Sequence, residues 1–469
     1  MLNLHIARIV LAASLSSFAG ASASTAVTRA DIDATNQLAP AAMADTEDAP
    51  AHAMTRSPNW VALDDPALPV LIERALQANT DVRQAMARLE IARARQQATG
   101  ANALPEDELA YRRESGDAAA APYAASFAWS WEVDLFGRLK SAREGARARR
   151  QASANELEGV RVMVVAEVAR TWFQLRGARE VAAARLHHAQ AQAEIVELTR
   201  TLVEAGLLAD ADLARSRAEA AVDLADSQAA RDTVFALQAR LAVLLGERPG
   251  SWNAPVSPTM RPILAPAVEA TDDDTWLAMR PDVAVAAQRL AAQQADAKSA
   301  AAALYPRLRL GGIVALLSGR LSGLFSGSEH HRGQAGTLGW SLFDQPRLRA
   351  ERRAAEAAVE LGRAQFDAAR LSAIEDAEVA LRSQRSASSQ LIWRQRAFEH
   401  LKMAESAERA RFEEGDAPYL NTLLARRASI DAELAAIDAL VAQREASIDV
   451  VRAWYALPDA DLRPAQGGP

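Results

Sequence analysis

Two histidine pairs, His187-His188 and His330-His331, are the first residues in this 469-residue chain that suggest chemistry. Imidazole is a common transition-metal ligand, so each pair is a candidate chelate. The spacing speaks against it. Adjacent residues on a helix do not share a face, so His187-His188 is a poor chelate. His330-His331 follows Glu329 in a polar stretch and fits a surface loop. No His-Glu-x-x-His, P-loop or Gly-x-Ser-x-Gly pattern appears. The chain has no cysteine, which excludes disulfides, thiolate metal sites, thiol catalysis and acylation of an N-terminal Cys. No catalytic constellation assembles, and the expectation is a protein that is not an enzyme and carries no cofactor and no metal. The formal net charge is −7 and the basic residues are scattered. Nucleic-acid binding gets no support.

A different signal comes from residues 126–136, SFAWSWEVDLF. Phe127, Trp129, Trp131, Val133 and Leu135 alternate with small or polar residues. A period of two is that of a strand with one apolar face and one polar face. The length and the alternation match a transmembrane strand, which needs about 9–11 residues. Two carboxylates on the polar side, Glu132 and Asp134, suit a watery lumen better than a protein core. Leu338, Trp340 and Leu342 repeat the alternation in 337–344. The other reading is a soluble hairpin whose aromatics lie under helices.

The elements around these strands are helical. Aromatics make up only 5% of the chain, so Ala, the best helix former, supplies much of the apolar content. From about Leu139 to Glu204 the spacing predicts one helix. Alternating steps of three and four give Val165, Val168, Trp172, Leu175, Arg179, Ala182, Leu186, Ala189, Ala193, Val196, Arg200 and Val203, a coiled-coil seam. At 1.5 Å per residue this helix is on the order of 100 Å long. Gly206 ends it, and Asp210 or Asp212 can cap the next helix, which runs to about Leu245.

The plan then recurs. NTDVRQAMARLEIARARQQA (79–98) matches RPDVAVAAQRLAAQQADAKSA (280–300). DLFGRLKSAREGARA (134–148) matches SLFDQPRLRAERRAAEAA (341–358). VEAGLLADADLARSRAE (203–219) matches FEEGDAPYLNTLLARRAS (412–429). We divide the chain into a signal peptide (1–23, with Ala21-Ser22-Ala23 as cleavage site), a flexible lead-in (24–58), a first repeat (59–265), a second repeat (266–457) and a tail (458–469). The first repeat holds strands at about 107–113 and 126–136 and long helices over 138–245. The second holds strands at about 307–318 and 337–344 and long helices over 346–456. No stretch after the leader reaches the ~20 apolar residues of a spanning helix.

These features together resemble the outer-membrane efflux duct family, the TolC-like channels of tripartite export pumps. The marks are WSWEVDLFGRLKSA, AEVARTWFQLRG, LAVLLGERPG, RPDVAVAAQRLAAQQADAKSAAAALYPRLRL and RFEEGDAPYLNTLLARRA, in this order, from about Trp60 to Tyr455. The resemblance implies a mostly α fold with a β-barrel part: a homotrimer, four strands per chain in one twelve-stranded outer-membrane barrel, and a periplasmic α-helical cylinder. It implies a passive duct for small molecules such as drugs. A periplasmic adaptor would dock on it, and a proton-driven inner-membrane transporter would supply energy. Phe127, Trp129, Trp131, Val133, Leu135, Leu338, Trp340 and Leu342 would then face or anchor in outer-membrane lipid. Gly206, Asp210, Asp212, Gly415, Asp416, Leu420, Leu424 and Arg427 would form the periplasmic tip and gate. The family's tip pattern, close to Y-L-x-L-L-D-A-Q-R, has an Asp where this chain has Leu424. A leucine ring closing by dewetting is one substitute for the acidic ring. Charge from Asp416, Asp210 or Asp212 is another, and helix capping is the plain role for those aspartates. Arg426 and Arg427 either line the tip or solvate a helix. Two alternatives remain at this point: a soluble periplasmic coiled-coil adaptor or scaffold, and the same duct serving protein or metal-ion export.

Overall fold

Four antiparallel strands form one sheet in the order β1-β2-β3-β4. In the computed structural model the described residues are 65–113, 123–250, 252, 260–261, 275–318 and 329–454; the leader, the lead-in and the tail lie outside them. The chain runs α1 (Leu68–Ala78), α2 (Thr80–Ala101), β1 (Glu106–Arg113), β2 (Tyr123–Val133), α3 (Arg138–Glu204) and α4 (Asp210–Leu244). It continues with α5 (Thr275–Met279), α6 (Pro281–Ala302), β3 (Arg307–Ser318), β4 (Glu329–Gly339), α7 (Gln345–Glu413) and α8 (Tyr419–Ala453). The second six elements repeat the order of the first six.

The long helices hold together through small residues. Gly145 of α3 lies against Ala295 and Asp296 of α6, and Gly177 of α3 lies against Val441 of α8. Gly362 of α7 lies against Gln293 and Leu290 of α6. A side chain at these positions would push the helices apart. Leu68, Leu71 and Val82 pack on Val168, Trp172 and Leu175 of α3, with Leu241 and Leu245 closing the cluster. Asp65, with a side chain fully out of solvent, is set into this apolar region. It accepts hydrogen bonds from Trp172 Nε1 at 3.1 Å and Ala67 N at 2.9 Å, and pairs with Arg176.

The repeat extends to single bonds. Asn79 starts α2, accepts from the N–H groups of Asp81 and Val82, and donates through Nδ2 to Leu244 O at 2.9 Å. Arg280 starts α6 and donates to Ala453 O at 3.3 Å and to Ala373 O at 3.2 Å. In each half the residue before a short helix thus ties down the end of the last helix, once with an amide and once with a guanidinium.

Arg280 also grips Asp282, at 2.6 Å, and Asp376, at 3.1 Å. Burial works against the charge on Asp282, but the hydrogen bond and charge of Arg280 and the Val283 N–H outweigh it. They hold the carboxyl below its usual range. A group whose pKa is depressed on folding stabilises above its unfolded pKa, about 3.9 for Asp. That stabilisation is lost as pH falls from there through the folded value. We expect the unfolding temperature of the wild type to fall more steeply below pH ~4 than that of Asp282→Asn. The difference is small because Asp282 is half exposed, and parallel curves would show that the pair is fully screened.

Two sequence expectations change. The α3 seam holds from Val165 to Ala189 and then shifts by one position. Gln192 and Thr199 are buried, while Ala193 and Arg200 are exposed. A straight helix turns every 3.6 residues and drifts off a 3.5 repeat, and the lower part of α3 packs through polar side chains. The second change concerns β4, which spans Glu329–Gly339 and not 337–344. His330 and His331 therefore lie in a strand, opposite Leu316 and Ala315, and not in a loop.

Candidate conduit: the sheet and the helical tip

The register fixes which residues share a face of the sheet. Phe127 is opposite Leu109 and Val314, Trp129 opposite Asp107 and Gly312, Trp131 opposite Leu310, and Val133 opposite Leu308. Tyr111 and Leu338 belong to the same face. It is apolar along β2 and β3 and strongly exposed at its edges, with Leu109 at 81% and Leu338 at 67%. The other face carries Glu106, Glu108, Arg112, Ser126, Ser130, Glu132, Arg307 and Arg309. Glu132 is held there by Arg138 at 2.7 Å, with Arg309 at 4.0 Å. Along β2 and β3 the first face is thus apolar, with Asp107, Arg113, Arg332 and Gln334 joining it on the outer strands, while the second face mixes charged and hydroxyl side chains with Ala128, Ile313 and Leu317; among the described residues β1 and β4 are the edges.

Trp129 lies across its partner strand. A Cβ on Gly312 would stand 2.6 Å from Trp129 Nε1 and 3.2 Å from Gly333 O. Only a glycine fits beneath the indole. Gly312→Ala should lower stability by about 1–3 kcal/mol through overpacking, seen as an earlier thermal transition in detergent. In a Trp129→Ala background the same change should have little effect. Equal losses in both backgrounds would disconnect the two residues.

Three of the expected lipid-side residues fall outside the strands. β2 ends at Val133 and β4 at Gly339, so Leu135, Trp340 and Leu342 sit in the turns that lead into α3 and α7. β4 follows the hydrogen-bonding row of β3, where Arg307 pairs with Gly339. The alternation in 337–344 does not set its end. The two tryptophans nearest these turns do the same thing from different places. Trp131 Nε1 donates to Ala103 O at 3.0 Å, just past α2, and Trp340 Nε1 donates to Leu304 O at 3.1 Å, just past α6.

At the other end of the long helices the turns are backbone-determined. Gly206 has φ 73° and Gly415 φ 83°. Behind each, the next N–H reaches back across the turn: Leu207 N to Leu202 O at 2.9 Å, and Asp416 N to Arg411 O at 2.8 Å. This is the Schellman stop, which calls for a left-handed residue. Asp210 is the first residue of α4 and is exposed. Asp212 closes the turn by accepting from Ala209 N at 3.3 Å. The residue at the cap position is Ala209, not an aspartate. Asp416 is exposed.

On α8 the first turns separate two faces. Leu420, Leu424 and Arg427 are exposed, spaced four and three apart. Thr422, Leu423, Arg426 and Ser429 are buried. The two adjacent arginines therefore have opposite roles. Arg426 donates to Gln192 Oε1 at 3.0 Å and to His188 O at 2.9 Å, both on α3. Gln192 in turn reaches Ser216 of α4. Further along the same α3–α8 seam, His188 Nε2 meets Glu433 at 2.8 Å, Gln174 meets Glu445 at 2.6 Å, and Arg170 meets Asp449 at 2.6 Å. Sequence reasoning missed this ladder, because its members are ordinary polar residues of long helices and only the pairing of α3 with α8 brings them together. Among the described residues no three His, Asp or Glu side chains gather as a metal site.

The sequence and the fold match known proteins. The family model "Outer membrane efflux protein" matches residues 71–247 and 274–454. The chain belongs to the outer membrane efflux protein family. It is 30% identical over 413 residues to the outer membrane protein OprJ of Pseudomonas aeruginosa, covering 83% of this chain and 84% of that protein. It is 28% identical over 417 residues to the pyoverdine export outer membrane protein OpmQ of Pseudomonas putida, covering 84% and 87%. The solved outer-membrane channel OprN superposes with a TM-score of 0.76 at 29% identity, covering 85% of this chain and 92% of that one. As a member of this efflux family the protein is a channel component of the cell outer membrane, with its helical part in the periplasm. The soluble-adaptor alternative is thereby set aside.

Proposed function

We propose that the chain works as a homotrimeric passive duct. Four strands from each of three copies would close a twelve-stranded barrel, with α3, α4, α7 and α8 forming the cylinder that leads to it. The observation that carries this is the four-stranded sheet with an exposed apolar face and free edges at β1 and β4. A sheet in lipid cannot leave edge N–H and C=O groups unpaired. Pairing β4 of one copy with β1 of the next removes every edge.

In this proposal solute enters at the tip marked by Gly206 and Gly415, once an adaptor docks there. An inner-membrane transporter, proton-driven, supplies the energy. The cargo is small organic molecules such as drugs; the relative OpmQ is named for pyoverdine export. At rest, Leu420 and Leu424 of three copies face one another and exclude water, with Arg427 one turn behind. Asp210, Asp212 and Asp416 serve the turns.

The test is density-gradient fractionation of the expressed protein, followed by native mass spectrometry in detergent. A trimer from the dense outer-membrane fraction is the expected result. A monomer that stays soluble without detergent would overturn the duct.

A further inference from the structure

We propose that three copies close the barrel in one particular register, with Leu109 of one copy opposite Leu338 of the next. This rests on the trimeric barrel reading above and specifies its seam. Within the chain, paired neighbours carry one row from Asp107 through Trp129 and Gly312 to Gln334. In a closed barrel such a row, followed once round, returns to its first strand displaced by a whole number of residues. That displacement sets the strand tilt. Three identical seams share it equally. Each share is even, because an odd step would turn the apolar face of β1 to the lumen. With strands about 4.8 Å apart and a rise of about 3.3 Å per residue, steps of two, four, six and eight give tilts of about 19°, 35°, 46° and 54°. Barrel strands tilt by about 35–45°, which leaves four and six. The same steps in the opposite direction would set most of β1 beyond the start of β4.

Side-chain chemistry decides between the two. A step of four sets Arg113 directly opposite Arg332 and Asp107 opposite Leu338. Like charges opposite one another destabilise a strand pair, and the carboxylate would lie against a leucine on the hydrocarbon side. A step of six sets Leu109 opposite Leu338, Tyr111 opposite Gly336 and Arg113 opposite Gln334. Leu109 and Leu338 are the most exposed large apolar side chains of β1 and β4, and Tyr111 is exposed as well. In this register the leucines cover each other and the tyrosine ring covers a glycine. An aromatic ring over a glycine of the next strand pins register, and Trp129 already lies over Gly312 in this way within the chain. The amide oxygen of Gln334 can accept from the Arg113 guanidinium. On the lumen face the same step pairs Ala110 with Thr337 and Arg112 with Ala335. The register also sets the bore: the backbone radius is about 13 Å for a step of six and about 11 Å for a step of four.

The chain has no cysteine, so paired cysteine substitutions in the full-length protein read the seam directly. Within one chain β2 and β3 separate β1 from β4, so a disulfide between those strands joins two copies. It needs Cα atoms about 4.4–6.8 Å apart, whereas positions two residues off register are about 7–8 Å apart. Ala110→Cys with Thr337→Cys, and Arg112→Cys with Ala335→Cys, each read a step of six. Oxidised in outer membranes and run on a denaturing gel without reductant, both should appear mostly as covalent trimer. Ala110→Cys with Ala335→Cys reads a step of four and should stay mostly monomeric. The reverse order would overturn the register and leave the barrel standing. So would the absence of covalent trimer in every pair, from protein that native mass spectrometry finds trimeric. Protein that is monomeric by native mass spectrometry would overturn the barrel, and the register with it.

Discussion

Asp65→Ala should destabilise the protein by about 3–5 kcal/mol, more than any other single exchange considered. The carboxylate is completely buried and Arg176 is nearly so. It also takes the N–H of Trp172, a residue with no solvent exposure in the centre of the α1–α3 cluster. Removing the carboxylate takes the Asp65 charge away from a buried guanidinium and the Asp65 acceptor away from a buried indole N–H. Each is costly because water cannot replace what is lost. Asp65→Asn keeps an acceptor and loses the charge, so it should fall between. Replacing Asp65 and Arg176 together by leucine should recover much of the loss, because no charge then stays behind. Urea unfolding in detergent, followed by tryptophan fluorescence, reads all of these. A loss under ~1 kcal/mol for Asp65→Ala would mean that the site is wet or rearranges freely.

The second large effect is expected at the tip and is read as conductance. Arg426→Ala deletes a buried cation and with it the hydrogen bonds that Gln192 Oε1 and His188 O accept. Bonds to charged groups are worth about 1.5–3 kcal/mol each. If the open tip separates α8 from α3 there, losing both shifts the balance toward opening by roughly two orders of magnitude or more. Single-channel recording in planar bilayers should show a variant open far more often than the wild type. Arg427→Ala is the matched control. That side chain is exposed and makes no bond among the described residues, so the variant should keep the closed state and change only ion preference. Two variants with the same open probability would mean that the α3–α8 ladder does not hold the tip shut.

These two cases also show what the sequence makes visible. Helix lengths, the glycine stops and the oily face of β2 are properties of neighbouring residues, and periodicity reports them. Gly206 and Gly415 stand out because a left-handed residue has to be short of a side chain. Trp129 stands out because alternation is local. The end of β4 does not, because it is fixed by hydrogen bonds to β3, far away in the chain. Nor do the roles of Arg426 and Arg427, which are adjacent, identical and on opposite faces. Asp65, in VALDDPALPV, gives no sign of its role until α3 supplies Arg176 and Trp172, more than a hundred residues later.

The matched helices have a consequence for reach. α3 and α7 run 67 and 69 residues, and α4 and α8 run 35 each. The distance from sheet to tip is therefore a ruler graduated in residues, about 10 Å for every seven. The ruler has four edges that must agree. Lengthening α3 alone would slide Arg185 past Asp226 and Gln192 past Arg426, and would set one tip below the other. A cell envelope of different depth could be spanned only by equal insertions in both hairpins, made in whole heptads so that each inward-facing residue returns to its own side.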